Sequence, residues 1–339
     1  MALNPKLEFY KIKLVSITND YKTFRDFAID ELYQRRPSSD AQIMYKLFDT
    51  FISKLTSHIA KDDKIKKQLK LIKTSANIHL EHKPQVDVNR NIIYGVINGG
   101  RYGRNGMMSD SSTKSEDASP FDKNQTILRY YYFLLYLPLD HYEGFLIIHS
   151  NSKEETITEV FKTYIAKLFK GNYYRKAALF SFCPKSFQEE FERDAIIKSL
   201  EFSNSYLDTI FTEDGIKSCI KGYEVKIEIK PKDKTLSLSD KPFIKKIISR
   251  LGFIRNNENR DNLTDFKGKR MTLNSKSTNS NNSFDIDDEN LEVKPVVYLK
   301  ERITKFNDDD TPNFDELNSY CQNLFNKEVL PEIRPDLYV

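Results

Sequence analysis

The segment 222–231, GYEVKIEIKP, contains the residues that most resemble a catalytic motif. Glu228 and Lys230 have the acidic-x-Lys spacing of metal-dependent nucleases, and Asp214 lies upstream. Such sites use two carboxylates to hold a divalent ion and a lysine to stabilise charge on the attacked phosphate. Any strand that alternates apolar and charged residues produces the same spacing, and no apolar strand surrounds Asp214. A solvated strand face is therefore the simpler interpretation, and a metal-dependent nuclease is the alternative.

Two other groups of polar residues have the composition of a metal site. His79 and His82 flank Glu81, but residues three apart on a strand point to opposite faces. The acidic run 308–310 is expected in an exposed loop at the start of a helix, where negative charge is favourable. The sequence also contains no nucleophile elbow, P-loop or dinucleotide fingerprint. We therefore predict no catalytic residues, no metal and no cofactor.

A glycine-rich stretch, GGRYGRNG at 99–106, has a composition suited to binding phosphate. It combines a flexible backbone with Arg101, Arg104 and the ring of Tyr102. Cations contact phosphates, and an aromatic ring stacks on a base. The alternative is an ordinary mobile loop.

Basic residues gather in two later segments. The segment 162–185 has six basic residues and no acidic one, with Tyr173 and Tyr174 among them. The predicted helix 243–251 is also basic, and its positions 246 and 250 share a face. Each cluster has a simpler interpretation, as a solvated helix face or as a counter-charge for the acidic segment 285–310. We predict phosphate contacts from Arg101, Arg104, Lys170, Arg175, Lys176, Lys230, Lys232, Lys245, Lys246 and Arg250.

A buried hairpin at 127–150 organises the elements that must position these residues. Residues 130–137 are all aromatic or aliphatic, which is typical of a strand covered on both faces, and Gly144 is expected in the turn. Hydrophobic spacing predicts helices at 40–60, 156–170, 186–193 and 313–329, and strands at 6–17, 91–98, 175–182, 195–202 and 222–231. The prediction is an α+β fold with a central, mostly antiparallel sheet, flanking helices and a smaller polar, partly flexible C-terminal region.

Two polar segments interrupt this pattern. Residues 99–126 are predicted to form a long loop, and residues 255–290 are Asn- and Ser-rich and are expected to be largely flexible. We therefore divide the chain into an α+β core domain at 1–235 and a second region at 236–339 that contains the basic helix, the polar insertion and the closing helix.

Composition narrows the class of protein only slightly. The 339 residues carry a net charge of +4, which is too small to identify a nucleic-acid binder. Three widely spaced cysteines favour a reducing compartment. Since no signal-peptide core and no apolar run of about 20 residues is present, we expect a cytoplasmic protein.

The order of several segments resembles the RexA-like phage-exclusion family. KLEFYKIKL, IIYGVINGG, the YYYFLLYLP and GFLIIHS hairpin and GYEVKIEIKPKDK follow one another as in those proteins, over roughly residues 6 to 250. The resemblance implies abortive infection and a dimer that binds DNA without sequence preference, together with a membrane-protein or other defence partner. No catalytic residues are defined in that family, so it implies none here.

The function predicted from the sequence is thus non-enzymatic, sequence-independent DNA binding in antiphage defence. The alternatives are the nuclease based on Glu228 and Lys230, and a protein-interaction module that docks a defence partner through the acidic C-terminal third.

Overall fold

A computed structural model gives two compact units, which do not follow the order of the chain. Unit 1 comprises Met1–Phe182 and Val296–Val339, and unit 2 comprises Cys183–Pro295. The structure describes all residues except 1–4, 19, 36, 38, 73–79, 110–117, 152–155, 212–217, 233–245, 247–248, 255–259, 264–265, 267, 276–279, 286–296, 308–310 and 339. The boundary predicted at residue 235 falls inside unit 2, and the C-terminal 44 residues return to unit 1. The α+β class is confirmed.

Unit 1 contains a nine-stranded sheet. Seven strands follow one another in the order β10-β1-β9-β8-β5-β3-β2. Two further strands lie off this path, since β17 pairs with β1 and β4 pairs with β5. Every pairing within it is antiparallel. A separate hairpin joins β6 and β7. The strands are β1 (Lys6–Lys13), β2 (Lys61–Asp62), β3 (Lys67–Lys70), β4 (Gln85–Asp87), β5 (Ile92–Arg101), β6 (Gly106–Ser109), β7 (Ala118–Phe121), β8 (Arg129–Tyr136), β9 (Glu143–Ser150), β10 (Ala178–Phe182) and, after unit 2, β17 (Val297–Tyr298).

Helices cover both faces of this sheet. On one face, Phe133 of β8 packs against Phe51 and Phe161 at ring separations of 5.2 and 5.4 Å. On the other face, Tyr136 packs against Phe325 at 5.0 Å. The helices of unit 1 are α1 (Phe24–Leu32), α2 (Asp40–Lys54), α3 (Thr158–Leu168), α5 (Phe314–Leu324), which continues as a π-helix over Phe325–Val329, and α6 (Leu330–Ile333). Within the described residues, no helix is long and apolar enough to cross a membrane.

The central hairpin matches its prediction except at Gly144. Residues Tyr131 to Leu137 are nearly inaccessible because β8 lies between β9 and β5 in the middle of the sheet. Gly144 is not in the turn but in β9, where an added Cβ would lie 2.6 Å from the carbonyl oxygen of Tyr136. The glycine is therefore required by the close approach of two strands.

Two predicted helices of unit 1 are shorter than their patterns suggested. The predicted helix 40–60 begins at Asp40, after Ser39, whose side chain accepts from the Gln42 amide, but it ends at Lys54. The predicted helix 156–170 is α3, which begins at Thr158 and ends at Leu168.

Unit 2 contains a four-stranded antiparallel sheet in the order β12-β11-β15-β16 and a small hairpin of β13 and β14. The apolar side chains of Leu200, Phe202, Met271 and Leu273 are buried. Its elements are α4 (Lys185–Asp194), β11 (Ala195–Phe211), β12 (Ser218–Ile229), β13 (Gly252–Ile254), β14 (Arg260–Asn262), β15 (Gly268–Ser275) and β16 (Ser280–Asp285).

Both segments predicted to be irregular contain strands. The predicted flexible segment 255–290 includes β14, β15 and β16, and β15 pairs along β11 from Ala195 to Ser203. The predicted loop 99–126 includes the end of β5 and the β6–β7 hairpin. The prediction of irregular backbone was wrong where these strands form, because pairing between strands stabilises them despite their low hydrophobicity. Residues 110–117 and about half of 255–290 lie outside the described residues.

Candidate nucleic-acid interface

The β2–β3 hairpin is a lysine-rich turn at one side of the unit 1 sheet. Its turn is shaped by Asp62, whose Oδ1 accepts from the amides of Lys64 and Ile65 at 2.9 and 3.3 Å. Lys66 adopts a left-handed backbone conformation, with φ of 55°. Lys64 and Lys66 are both exposed. The hairpin thus exposes the ammonium groups of Lys64 and Lys66 to solvent, whereas the carboxylate of Asp62 accepts hydrogen bonds from the backbone of the turn.

Strand pairing brings a distant arginine beside this hairpin. Lys67 of β3 lies directly opposite Arg101 of β5, so the two side chains share a face of the sheet. Lys67 is half-buried, and its ammonium donates to the Thr156 carbonyl. Burial, followed by the charge of Arg101, lowers the pKa of Lys67. The fold therefore holds two like charges together at a free-energy cost.

The buried ring of Tyr102 packs against the ammonium groups of Lys61 and Lys66. Its hydroxyl donates to Asp63 Oδ1 at 2.6 Å, and the residue is only 8% exposed. Lys61 and Lys66 place their Nζ atoms 4.5 and 5.8 Å from the ring centroid, within cation–π range. Burial and the hydrogen bond to Asp63 raise the Tyr102 pKa. The prediction that Tyr102 stacks on a base is wrong, because its ring is already covered.

The glycine-rich stretch serves close packing as well as chain reversal. Gly100 lies within β5, where an added Cβ would stand 2.0 Å from the carbonyl oxygen of Ile127. Gly103 has a φ of 89°, and its amide donates to the Lys123 carbonyl at 2.9 Å. The latter bond adds exposed Lys123 to the cluster. We define the basic surface as Lys61, Lys64, Lys66, Lys67, Arg101, Arg104 and Lys123.

The basic surface is only partly neutralised. Asp63 pairs with Lys61 at 3.3 Å, and Asp122 accepts from the Asn124 amide. Across the described part of the chain, no carboxylate forms an ion pair with Lys64, Lys66, Lys67, Arg101, Arg104 or Lys123. A half-open cavity of about 460 Å³ borders the surface at Lys61, Gln68 and Lys70. The arrangement can therefore accept several anionic groups at once.

The predicted residues Lys170, Arg175 and Lys176 lie elsewhere on unit 1. They are exposed at the C-terminal end of α3, whereas Lys67 contacts the segment just before that helix. Eleven helical residues separate these ends by about 16 Å. The structure does not bring these three residues together with Arg101 and Arg104.

The remaining predicted residues belong to unit 2. Lys230 and Lys232 follow β12 and are exposed, as are Lys246 and Arg250, which have helical backbone. Lys245 lies outside the described residues, as does most of the predicted helix around it. Residues 183–295 contain equal numbers of basic and acidic residues, so unit 2 has no net charge to favour an anion.

The candidate nuclease residues form ion pairs on a solvated strand face. Glu224, Lys226 and Glu228 are exposed while Val225, Ile227 and Ile229 are partly buried, as the alternating pattern predicted. Glu228 pairs with Lys230 at 3.0 Å, and Lys226 pairs with Glu201 of β11 at 3.0 Å. Asp214 and His79 lie outside the described residues. In the ranges that the structure describes, no group of three or more His, Cys, Asp or Glu residues could hold a metal ion.

Sequence reasoning missed the lysines of the β2–β3 hairpin. The run KDDKIKKQLK at 61–70 contains five lysines and two aspartates, which is a visible signal. Its link to Arg101 is set by strand pairing over more than thirty residues, and no local pattern reveals that pairing.

Comparisons with known proteins identify no relative. No family model, no curated protein and no solved structure matches this chain.

Proposed function

We propose that this protein binds DNA through its phosphates, without reading base sequence, and that the basic surface makes the principal contact. The observation that carries the proposal is the opposed pair Lys67 and Arg101, surrounded by further cations. Like charges on facing positions destabilise a sheet. A polyanion that lies across them relieves this repulsion, and it gains one contact from each cation.

The chemistry of the surface favours phosphates over base edges. Lysines predominate in it, and a lysine is a point charge on a flexible stem that contacts phosphate oxygens without a fixed geometry. Contacts of this kind position a protein on DNA and carry no sequence information. We therefore expect similar affinities for unrelated DNA sequences.

The biological setting that we propose is antiphage defence of the abortive-infection type, with the protein acting as a homodimer beside a defence partner. This setting rests on the resemblance to the RexA-like family in the sequence. The proposal assigns no catalytic residue, and Glu228→Ala is expected to leave DNA binding unchanged. DNA cleavage that requires magnesium and disappears in that variant would favour the nuclease instead.

Titration of a labelled duplex at several salt concentrations tests the binding mode. If about six phosphates are contacted, the logarithm of the association constant should fall with the logarithm of salt at a slope of about −5. A salt-independent affinity, or a strong preference for one sequence, would contradict the proposal.

Charge reversal tests the location. Changing Lys64, Lys66, Arg101 and Arg104 to Glu should reduce duplex affinity about a hundredfold or more, since each lost contact weakens binding and the new charges repel the phosphates. The matched control changes four exposed lysines of the same unit, Lys46, Lys300, Lys305 and Lys327, to Glu. Equal losses in both variants would mean that total charge matters and that the basic surface is not the site.

A third variant tests whether unit 2 contributes. Reversal of Lys245, Lys246 and Arg250 should have a smaller effect than reversal of the basic surface. Protection against phage infection, measured as plating efficiency, should be lost with the first variant and retained with the control.

A further inference from the structure

A second exposed surface on unit 1 combines aromatic rings with cations. Ile17 is 49% exposed and Tyr21 is 77% exposed in the segment after β1, and Tyr173 is 63% exposed in the loop after α3. Exposed Arg175 and Lys176 follow Tyr173 directly. Exposed apolar and aromatic side chains that cluster and are rimmed by polar residues mark interaction sites. We therefore examine this surface as a binding site.

Backbone hydrogen bonds make this surface continuous. The Ile17 amide donates to the Tyr173 carbonyl at 2.9 Å, and the Arg175 amide donates to the Val15 carbonyl at 2.9 Å. On the other side, the Leu14 amide donates to the Tyr142 carbonyl at 3.0 Å. The segment after β1 therefore lies between the β8–β9 turn and the loop after α3. We define the aromatic patch as Lys13, Ile17, Tyr21, Tyr142, Tyr173, Arg175 and Lys176.

Two rings of the patch, Tyr21 and Tyr142, contact each other. Tyr21 lies 4.9 Å from Tyr142, with the ring planes tilted by 50°. Tyr142 in turn stacks on His141 at 4.7 Å and 19°. The ammonium of Lys13 stands 5.4 Å from the centroid of the Tyr142 ring. A row of π-faces with an adjacent cation is the arrangement on which bases and phosphates of an open strand bind.

The support beneath Tyr173 is rigid. The amide of Tyr173 donates to Glu31 at 2.6 Å, and the neighbouring Tyr174 is buried and donates to Asp30 at 3.0 Å. The Tyr174 ring also packs edge-on against Phe27 at 5.1 Å. These bonds engage the carboxylates of Asp30 and Glu31 and fix the loop, so that an exposed ring is held in place before a ligand arrives.

We propose that the aromatic patch binds single-stranded DNA by stacking unpaired bases on Tyr21 and Tyr173, with Lys13, Arg175 and Lys176 at the phosphates. This inference rests on the proposed function, since it names the form of DNA that a second surface of the same protein takes. In a duplex the faces of the bases are stacked on one another, so they cannot stack on the exposed tyrosine rings. The patch and the basic surface lie at opposite ends of α3, and their contributions are therefore separable by mutation.

The test uses fluorescence anisotropy with two probes, an oligothymidylate of about 16 nucleotides and a duplex of the same length. Tyr21→Ala with Tyr173→Ala should weaken oligothymidylate binding about tenfold or more and leave duplex binding unchanged. The variant with Tyr21→Phe and Tyr173→Phe should bind oligothymidylate with the affinity of the wild type, because both aromatic rings remain. Tyr45→Ala, which removes a tyrosine that is 54% exposed on α2, is the control and should change neither affinity.

Three results would overturn the inference, and they differ from one another. If neither probe binds at any salt concentration, the proposed function fails and this inference fails with it. If the duplex binds with the expected salt dependence but the alanine variant retains full oligothymidylate affinity, only the stacking assignment fails. If Leu at both positions restores binding as well as Phe does, the patch is an apolar docking surface and not a stacking site.

Discussion

The hydroxyl of Tyr102 and the carboxylate of Asp63 join the loop after β5 to the turn of the β2–β3 hairpin through a 2.6 Å hydrogen bond. The bond also fixes the ring on which Lys61 and Lys66 rest. A tyrosine that the sequence presents as a ligand for bases is thus an internal support for two of the cations. In the proposed DNA-binding surface, Tyr102 would therefore position these lysines and would not itself contact a base.

Two replacements of Tyr102 separate its ring from its hydroxyl. Tyr102→Phe keeps the surface beneath the lysines and should change DNA affinity less than about threefold, while stability falls by about 1 kcal/mol with the lost hydrogen bond. Tyr102→Ala removes the ring as well and should lower both the melting temperature and the DNA affinity. Calorimetry and anisotropy measure the two effects. Unchanged affinity in a folded Tyr102→Ala protein would remove Tyr102 from the site.

Replacement of Arg101 should raise the free energy of unfolding and weaken the proposed DNA binding. Arg101→Gln removes the like charge opposite Lys67, so the free energy of unfolding in urea should rise by roughly 0.2–1 kcal/mol at low salt. The gain should vanish at high salt, where the repulsion is screened. Duplex affinity should fall, and the salt slope should become shallower by about 0.9. A variant that is less stable than the wild type at low salt would show that the two cations do not repel.

Acid should destabilise the fold through His149. This residue is fully buried in β9, and neither ring nitrogen has a partner in hydrogen-bonding geometry among the described residues. Burial, which disfavours the charged ring, lowers the pKa of His149 to about 3. Between about pH 6.5 and pH 3, the unfolded chain therefore binds a proton that the native chain does not, and stability falls as the pH falls.

A leucine replacement removes this dependence. In His149→Leu the stability relative to the wild type should increase on acidification by at most about 1.4 kcal/mol for each pH unit between pH 6 and pH 4. Urea unfolding at several pH values measures it, with the exposed His58→Leu as control. If the curves of His149→Leu and the wild type remain parallel, His149 titrates normally in the folded protein.

Arg334 should hold the C-terminal segment to the β8–β9 turn. Its side chain is 4% exposed, and it donates to both oxygens of Asp140 at 3.0 and 2.8 Å and to Asp336 at 2.7 Å. Arg334→Met should lower the free energy of unfolding by about 2–3 kcal/mol, less than for a fully buried pair because the carboxylates are more than half exposed.

The matched control for Arg334 is Arg25, which pairs with Asp40 at 2.8 Å on the surface. Arg25→Met should lower stability by less than about 1 kcal/mol, since water screens an exposed ion pair. Equal losses at Arg25 and Arg334 in urea unfolding would show that burial adds nothing to the second pair.

Elements with a local pattern could be predicted from the amino-acid sequence. The unbroken apolar run at 130–137 identified a strand buried on both faces, and apolar spacing identified the start of α2 at Asp40. Alternation along β12 identified its charged face. In each case the decisive contacts lie within a few residues along the chain, so neighbouring residue types are sufficient.

The meeting of residues that are distant in the chain could not be predicted in this way and is seen in the folded molecule. The β3–β5 pairing sets Lys67 beside Arg101, and β15 becomes a strand because β11 lies alongside it. The return of residues 296–339 to unit 1 depends on β17 pairing with β1 and on the contact of Phe325 with Tyr136. Backbone hydrogen bonds and ring contacts between remote segments depend on how the whole chain packs, and for that reason the meeting of the β2–β3 lysines with Arg101 is seen only in the folded molecule.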